Sequence, residues 1–192
     1  MSSFLDFTDS PLALPARRKF LGTGLVLSGA AVALLAGQEA LAKTGGKATE
    51  DDVRILNTAL GAELEAIAAY QLGAESKLLQ KPVLDLAVTF QGHHKEHADV
   101  LAKTIAKLGG KPVTAKTKYD FPVDQLKSQN DVLKFAAKLE QGAVSAYLGA
   151  VPLFGNRDLA KAAASILGDE AMHWAVLRNA LGEAPVPSAF MA

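Results

Sequence analysis

The sequence predicts an all-α protein: a four-helix bundle in which two antiparallel helical hairpins are joined by a long crossover. Three observations support this prediction. Apolar residues recur every three to four positions in four separate segments, no segment alternates with the period of a strand, and the links between segments are short, long and short. The 192-residue chain is 49% apolar with 20 basic and 20 acidic residues, a composition typical of a globular domain.

The first hairpin is predicted over residues 50–80 and 82–110. Thr49 is a suitable N-cap for the first helix, and Pro82 suits the first turn of the second. Gly109 and Gly110 end the second helix. The core-facing positions of these two helices are Val53, Leu56, Leu60, Glu63, Ile67, Tyr70 and Ala74, then Ala87, Phe90, His94, His97, Leu101 and Leu108.

The crossover is predicted over residues 109–128, which contain two prolines and show no helical period. An extended chain covers about 3.3 Å per residue, so this segment can span the length of a bundle. The third helix is predicted from about Asn130 to Val151, and the fourth runs from an Asn156 N-cap to Gly182. Their core-facing positions are Leu133, Ala136, Glu140, Ala143, Tyr147 and Ala150, then Leu159, Ala163, Ile166, Glu170, His173, Leu177 and Leu181.

The N-terminus has the order of features found in a secretory signal peptide. A basic cluster at residues 17–19 precedes a nearly uncharged stretch over residues 21–37, and Ala40-Leu41-Ala42 provides a small-x-small cleavage site. The Arg17-Arg18-x-Phe20-Leu21 core resembles a twin-arginine (Tat) signal. The alternative is an uncleaved membrane anchor, for which about 17 apolar residues are marginal. We therefore predict a Tat-type signal peptide over 1–42, the bundle over 43–182, a proline-containing tail over 183–192, and an exported, periplasmic protein.

The composition excludes several classes of function. The chain contains no cysteine, which excludes thiolate zinc sites, thiol nucleophiles and redox disulfides. Removal of residues 1–42 leaves 17 basic and 17 acidic residues, so the predicted mature protein is still neutral. This balance predicts no nucleic-acid partner and no attraction to an anionic membrane surface.

Acids and histidines interrupt the apolar stripes of all four helices. A buried carboxylate is costly unless it has a partner, and a shared cation would supply one. Carboxylate and imidazole ligands without sulfur suit iron or manganese, with zinc as a further candidate. The candidate metal ligands are Glu63, His94, His97, Glu140, Glu170 and His173.

The two hairpins look like duplicates. A glutamate precedes a tyrosine by seven residues in Glu63/Tyr70 and in Glu140/Tyr147, and the glutamates lie 77 positions apart. The stretch Gly92-His93-His94-Lys95-Glu96-His97 parallels Gly168-Asp169-Glu170-Ala171-Met172-His173 at an offset of 76. Both sets are then expected at mid-bundle, with the tyrosines as hydrogen-bond donors to ligand carboxylates or as core aromatics.

With these residues, positions 50–181 resemble the ferritin-like superfamily of di-iron and di-manganese carboxylate proteins, which includes rubrerythrin and manganese catalase. The resemblance is greatest to small exported members. It implies a dinuclear iron or manganese centre and redox chemistry with O2 or peroxide. In that pattern Glu63 and Glu140 are the single carboxylates of the first and third helices, His97 and His173 are terminal ligands, and Glu170 and His94 complete the shell.

His94 departs from the pattern, which has glutamate at this position in both hairpins. Three glutamates leave two divalent ions with a net charge of +1. His93 is an alternative partner for His97, but it aligns with Asp169 and is expected outside the ligand set, as are Glu65 and Glu96. Two alternatives stay open: a metal-sequestering or stress-related protein, and a degenerate bundle acting as an interaction module. The expected partners are metal ions, O2 or peroxide, and the Tat translocase for the precursor; a homodimer is left open.

Overall fold

The computed structural model describes residues 47–191, so the predicted signal peptide over 1–42 lies outside the described residues. Within this range the chain forms helices and turns and no strand. The predicted all-α four-helix bundle is confirmed. Its helices are α1 (Lys47–Glu75), α2 (Lys81–Lys107), α3 (Gln129–Ala150) and α4 (Arg157–Ala180), with short 3-10 turns at Val123–Gln125 and Val151–Leu153.

The helices pack as two hairpins around a core divided into two apolar clusters. Helix α1 packs along α2, α3 packs along α4, and α1 also contacts α3. One cluster includes Leu60, Ile105 and Leu159, and the other includes Phe90 and Leu177. The clusters occupy opposite ends of the bundle, which leaves the polar core positions of all four helices at the level between them.

The helix ends follow local capping with two corrections. Asn156 caps α4, because its Oδ1 accepts a 2.8 Å hydrogen bond from the Asp158 backbone N–H. Helix α1 already includes Lys47, so Thr49 lies inside it and is not its N-cap. The prediction that this helix extends to residue 80 was also wrong: α1 ends at Glu75, and Lys77 has φ = 60°. A lysine gives no sequence signal of that left-handed conformation, which glycine usually supplies.

The crossover is held against α1 at its start. Asn57 Nδ2 donates to the Lys111 carbonyl at 3.2 Å, and Asn57 Oδ1 accepts from the Val113 N–H at 2.8 Å. Gly110 approaches α1 so closely that a Cβ there would lie 2.6 Å from Val53 Cγ1. The crossover therefore keeps a fixed position beside α1.

Asp52 fixes the register between the hairpins. Its side chain is buried and accepts hydrogen bonds from the backbone N–H groups of Gly155 (2.7 Å) and Asn156 (3.2 Å) in the α3–α4 turn. This ties the first turns of α1 to the second hairpin. Among residues 47–191, none of the helices combines the length and apolar character that crossing a membrane requires.

Candidate metal centre

The six predicted ligand residues meet at one level of the bundle. His94 connects three helices, since its Nδ1 lies 2.8 Å from Glu63 Oε2 and its Nε2 lies 3.3 Å from Glu140 Oε1. His97 Nδ1 lies 3.1 Å from Glu170 Oε1, on the fourth helix. All of the six are buried except His97, which is partly exposed. The remaining residue, His173, lies with its Nδ1 3.4 Å from Glu140 Oε1.

These residues form two overlapping groups. In each group, one ligand atom per residue lies within 4.8 Å of every other. His94 and Glu170 belong to both groups. These two residues occupy equivalent positions in the duplicated hairpins. The arrangement offers two adjacent cation positions with a shared centre. One group is Glu63, His94, His97 and Glu170, and the other is His94, Glu140, Glu170 and His173.

Four ligand atoms in the centre lack hydrogen-bond partners among the described residues. They are His97 Nδ1, His173 Nδ1 and both carboxylate oxygens of Glu170, and all four are buried. They face one another without hydrogen-bond geometry: His97 Nδ1 lies 3.1 Å from Glu170 Oε1, and His173 Nδ1 lies 3.7 Å from Glu170 Oε2. The four atoms therefore converge on one place. Cations bound between the two groups would satisfy all four atoms, and nitrogen and oxygen donors without sulfur suit iron or manganese. The residues present therefore fit a dinuclear centre.

The two tyrosines hold the single carboxylates across the hairpin interface. Tyr147 on α3 donates to Glu63 Oε1 on α1 at 2.6 Å, and Tyr70 on α1 donates to Glu140 Oε1 on α3. Burial, followed by the adjacent carboxylate, raises the pKa of each phenol well above its usual value. Both hydroxyls therefore stay protonated and orient the carboxylates as neutral donors.

Asp169 is a site residue that the sequence interpretation missed. Its Oδ2 lies 3.4 Å from His97 Nε2 and 3.2 Å from His173 Nε2, so one carboxylate reaches the outer nitrogens of both terminal histidines. When each Nε2–H donates to Asp169, each Nδ1 is left free to face the interior. The sequence signal was the position of Asp169 four residues before His173 on α4.

The neighbouring polar residues fall outside the ligand set. His93 lies at the outer edge, with Nδ1 2.9 Å from His173 Nε2 and 3.1 Å from Asp169 Oδ2. Its side chain is 41% exposed, and it groups with Asp169 and His173 rather than with the interior residues. Glu96 is exposed and Glu65 is half-buried outside both groups.

The histidines of the site hold protons strongly in the absence of metal. Burial alone would lower the pKa of His94, but hydrogen bonds to the carboxylates of α1 and α3 raise it to about 9. Burial opposes protonation of His97 and His173 as well, yet hydrogen bonds, first of all to Asp169, raise the pKa of both to about 11. Protonated imidazoles thus occupy positions where a metal ion would place positive charge.

The carboxylates divide into two kinds. Burial opposes the ionisation of Glu63, Glu140 and Asp169, but their histidine partners lower the pKa of all three below the usual range. Glu170 differs, because burial raises its pKa. A divalent ion would displace protons from the histidines, and this couples metal binding to proton release.

Four helices that each contribute a carboxylate or an imidazole to one buried level define a class of helical bundles built to hold metal ions. The family model of the ferritin-like domain matches residues 51–183, and the chain belongs to that family. The predicted family resemblance is thereby confirmed.

Two solved structures share the fold. A conserved hypothetical protein from Mycobacterium tuberculosis superposes with a TM-score of 0.65 at 23% identity, covering 75% of this chain and 99% of its own. A protein from Bacillus anthracis described as a ferritin-like, diiron-carboxylate protein gives a TM-score of 0.62 at 21% identity, covering 71% and 99%. No curated protein matches the chain. At these identities the likeness shows the fold alone.

Proposed function

We propose that this chain is an exported ferritin-like protein that holds a dinuclear iron or manganese centre and uses it in redox chemistry with O2 or peroxide. The observation that carries the proposal is the set of four buried ligand atoms on His97, His173 and Glu170 that converge on one place and make no hydrogen bond among the described residues. They lie in the two groups that share His94 and Glu170, where two cations would bind side by side.

Each ion would be bound by its own pair of residues. Glu63 with His97 would bind one ion and Glu140 with His173 the other, while Glu170 lies between them. When bound, the metal pair would supply electron exchange with the oxidant. The helices fix the separation of the two positions, and the apolar clusters close the bundle above and below them.

The charge balance between the two ions and their ligands favours the binding of an anion. Two divalent ions bring four positive charges, and ionised Glu63, Glu140 and Glu170 balance three of them. His94 adds no negative charge at the remaining central position. The bound centre therefore favours an anionic ligand from solution, such as hydroxide.

Metal content and turnover test the proposal. Purified wild-type protein should contain stoichiometric iron or manganese, whereas Glu170→Ala and His173→Ala should lose it and the exposed control Glu96→Ala should not. O2 uptake with Fe2+, or peroxide disproportionation by the manganese form, should follow metal content across the variants. Absence of stoichiometric metal in wild type after reconstitution would overturn the proposal. Bound metal without turnover would replace the redox role with sequestration.

Export has its own test, based on the twin-arginine pair. Expression of the full chain should give a periplasmic protein whose first residue is Lys43. Arg17→Lys combined with Arg18→Lys should retain the uncleaved chain in the cytoplasm. A membrane-bound chain that keeps residues 1–42 would instead establish the anchor. Export that is unaffected by the double substitution would exclude the twin-arginine route.

A further inference from the structure

A large groove opens between α1 and α3, on the side where the crossover packs. Its volume is about 1160 Å³, and its lining residues on α3 run from Asp131 to Ala150. At about 1.5 Å per helical residue this is a length of roughly 28 Å. Phe121 and Leu126 of the crossover contribute one wall. The groove is therefore long, and it is formed by three separate parts of the chain.

The groove reaches the candidate metal centre. Glu63, His94 and Glu140 line it, although each of them is at most 2% exposed. These side chains come from three different helices and belong to the two ligand groups. They lie at the floor of the groove beneath neighbouring side chains, so a molecule lying in it would come beside this edge of the two ligand groups.

Small residues keep the groove open. Ala62, Gly142, Ala146 and Gly149 line it and are exposed, on helices where long polar side chains would usually cover the surface. A Cβ added at Gly142 or Gly149 would meet no atom of another side chain or element within 4 Å. The volume that residues 47–191 leave unfilled thus reaches the backbone of α3.

The size and lining indicate the class of ligand. O2 or peroxide needs little more room than a water molecule, which takes about 30 Å³. A groove of about 1160 Å³ is instead slightly larger than most small-molecule sites, which are about 300–1,000 Å³. Its rim carries both signs of charge, with Lys134 and Lys138 against Glu65 and Asp131. Recognition would therefore depend on apolar contact along the walls and not on a charged head group.

We propose that the groove binds a small molecule with a long hydrocarbon chain, which lies along α3 and places one end beside Glu63, His94 and Glu140. The metal-site part of this inference rests on the proposed function, but binding in the groove does not. The chain would pack against the alanines and glycines of α1 and α3 and against Phe121 of the crossover.

Calorimetric titration of the metal-free protein with 1-dodecanol, with 1-butanol as the short-chain control, tests binding separately from metal. Gly142→Leu and Ala146→Phe fill the groove and should each weaken dodecanol binding by at least roughly tenfold. The matched control is Ala164→Phe, which adds the same ring to an exposed position on α4 away from the groove. Its affinity should stay at the wild-type value, and circular dichroism melting should show all variants folded.

Proximity to the centre has a separate measurement. Dodecanol should change the absorption spectrum of Co2+-loaded wild-type protein and leave that of Co2+-loaded Gly142→Leu unchanged. Failure to bind Co2+ would count against the metal proposal while leaving the calorimetric result intact. No dodecanol binding by wild type, or equal weakening by Ala164→Phe, would overturn the groove proposal. A wild-type dimer that Gly142→Leu converts to monomer would also overturn it, by showing a second copy in the groove.

Discussion

The two hairpins bring nearly the same residues to the centre and differ in the residue between the flanking ligands. The first hairpin has His94 between Glu63 and His97, and the second has Glu170 in the equivalent place. In each hairpin the flanking glutamate accepts a hydrogen bond from a tyrosine of the opposite hairpin. The duplication thus fixes where ligands stand, while the central residue sets the charge of the site.

The hairpins also differ in access to solvent. The side chain of His97 is 15% exposed and that of His173 is 2% exposed. The four residues of the second ligand group are all buried, whereas the first group includes the partly exposed His97. We therefore expect the ion beside His97 to exchange faster than the ion beside His173.

The largest effect should come from Glu170→Ala. Glu170 belongs to both groups and contributes both of the carboxylate oxygens that make no hydrogen bond among the described residues. Its loss should therefore weaken the binding of both ions by more than about 100-fold. Titration with Mn2+ followed by elemental analysis measures this. His94→Ala is the comparison variant and should weaken binding less, because its imidazole brings no negative charge. Equal losses in the two variants would show that the central positions are equivalent.

Asp169→Asn should have the next largest effect. The substitution removes the carboxylate that faces the outer nitrogens of both terminal histidines, and loss of such a partner typically costs about 10–100-fold in metal affinity. The affinity for both ions should fall together in a Mn2+ titration. Glu96→Ala, at an exposed position on α2, serves as the control. A loss confined to one ion would mean that Asp169 serves one hairpin only.

Tyr70→Phe and Tyr147→Phe should destabilise the protein equally. Each removes one buried hydrogen bond to a carboxylate of the opposite hairpin, which is worth about 1.5–3 kcal/mol. Urea unfolding of the metal-free proteins gives the change in free energy of unfolding. Tyr119→Phe, far from the centre in the crossover, should leave the stability close to that of wild type. Unequal losses of unfolding free energy would show that the two tyrosine hydrogen bonds contribute differently to stability.

His94→Glu should make the two hairpins equivalent. A fourth carboxylate would neutralise two divalent ions, so Mn2+ affinity should rise by roughly tenfold. The metal-free variant should unfold at lower urea concentration, because the substitution adds a buried carboxylate and removes its histidine partner. Unchanged affinity would mean that the charge of the central residue does not govern binding.

The last comparison is the pH dependence of the stability gained from metal. In the metal-free protein the pKa of His94 is about 9 and that of His97 about 11, against about 6.5 when unfolded. Their contribution to stability is therefore complete below pH 6.5 and is lost as pH rises through 9 to 11. The metal-bound form holds no such protons. The difference in Tm between loaded and metal-free protein should widen from pH 6.5 to 9, and a constant difference would contradict this.

Helical spacing accounts for most of what could be predicted. The residues at 63, 94, 140 and 170 interrupt apolar stripes, and the duplicated offsets place them level with one another. Asp169 was missed because it points about 100° away from Glu170 on the same helix, and its reach to His97 depends on how closely α2 packs. The groove was missed because an alanine such as Ala62 reads as apolar whether it fills space or leaves it empty. Both features depend on distances between helices, which periodicity does not encode.

Each ligand group takes residues from at least three of the four helices, and the tyrosine bonds cross between hairpins. A single hairpin therefore holds only half of the ligands and cannot assemble either cation position. Docking of the hairpins has to come before metal uptake, so the compartment in which the chain folds also decides which metal it meets first. On the twin-arginine hypothesis that compartment is the cytoplasm, and the choice between iron and manganese is made before the protein reaches the place where it works.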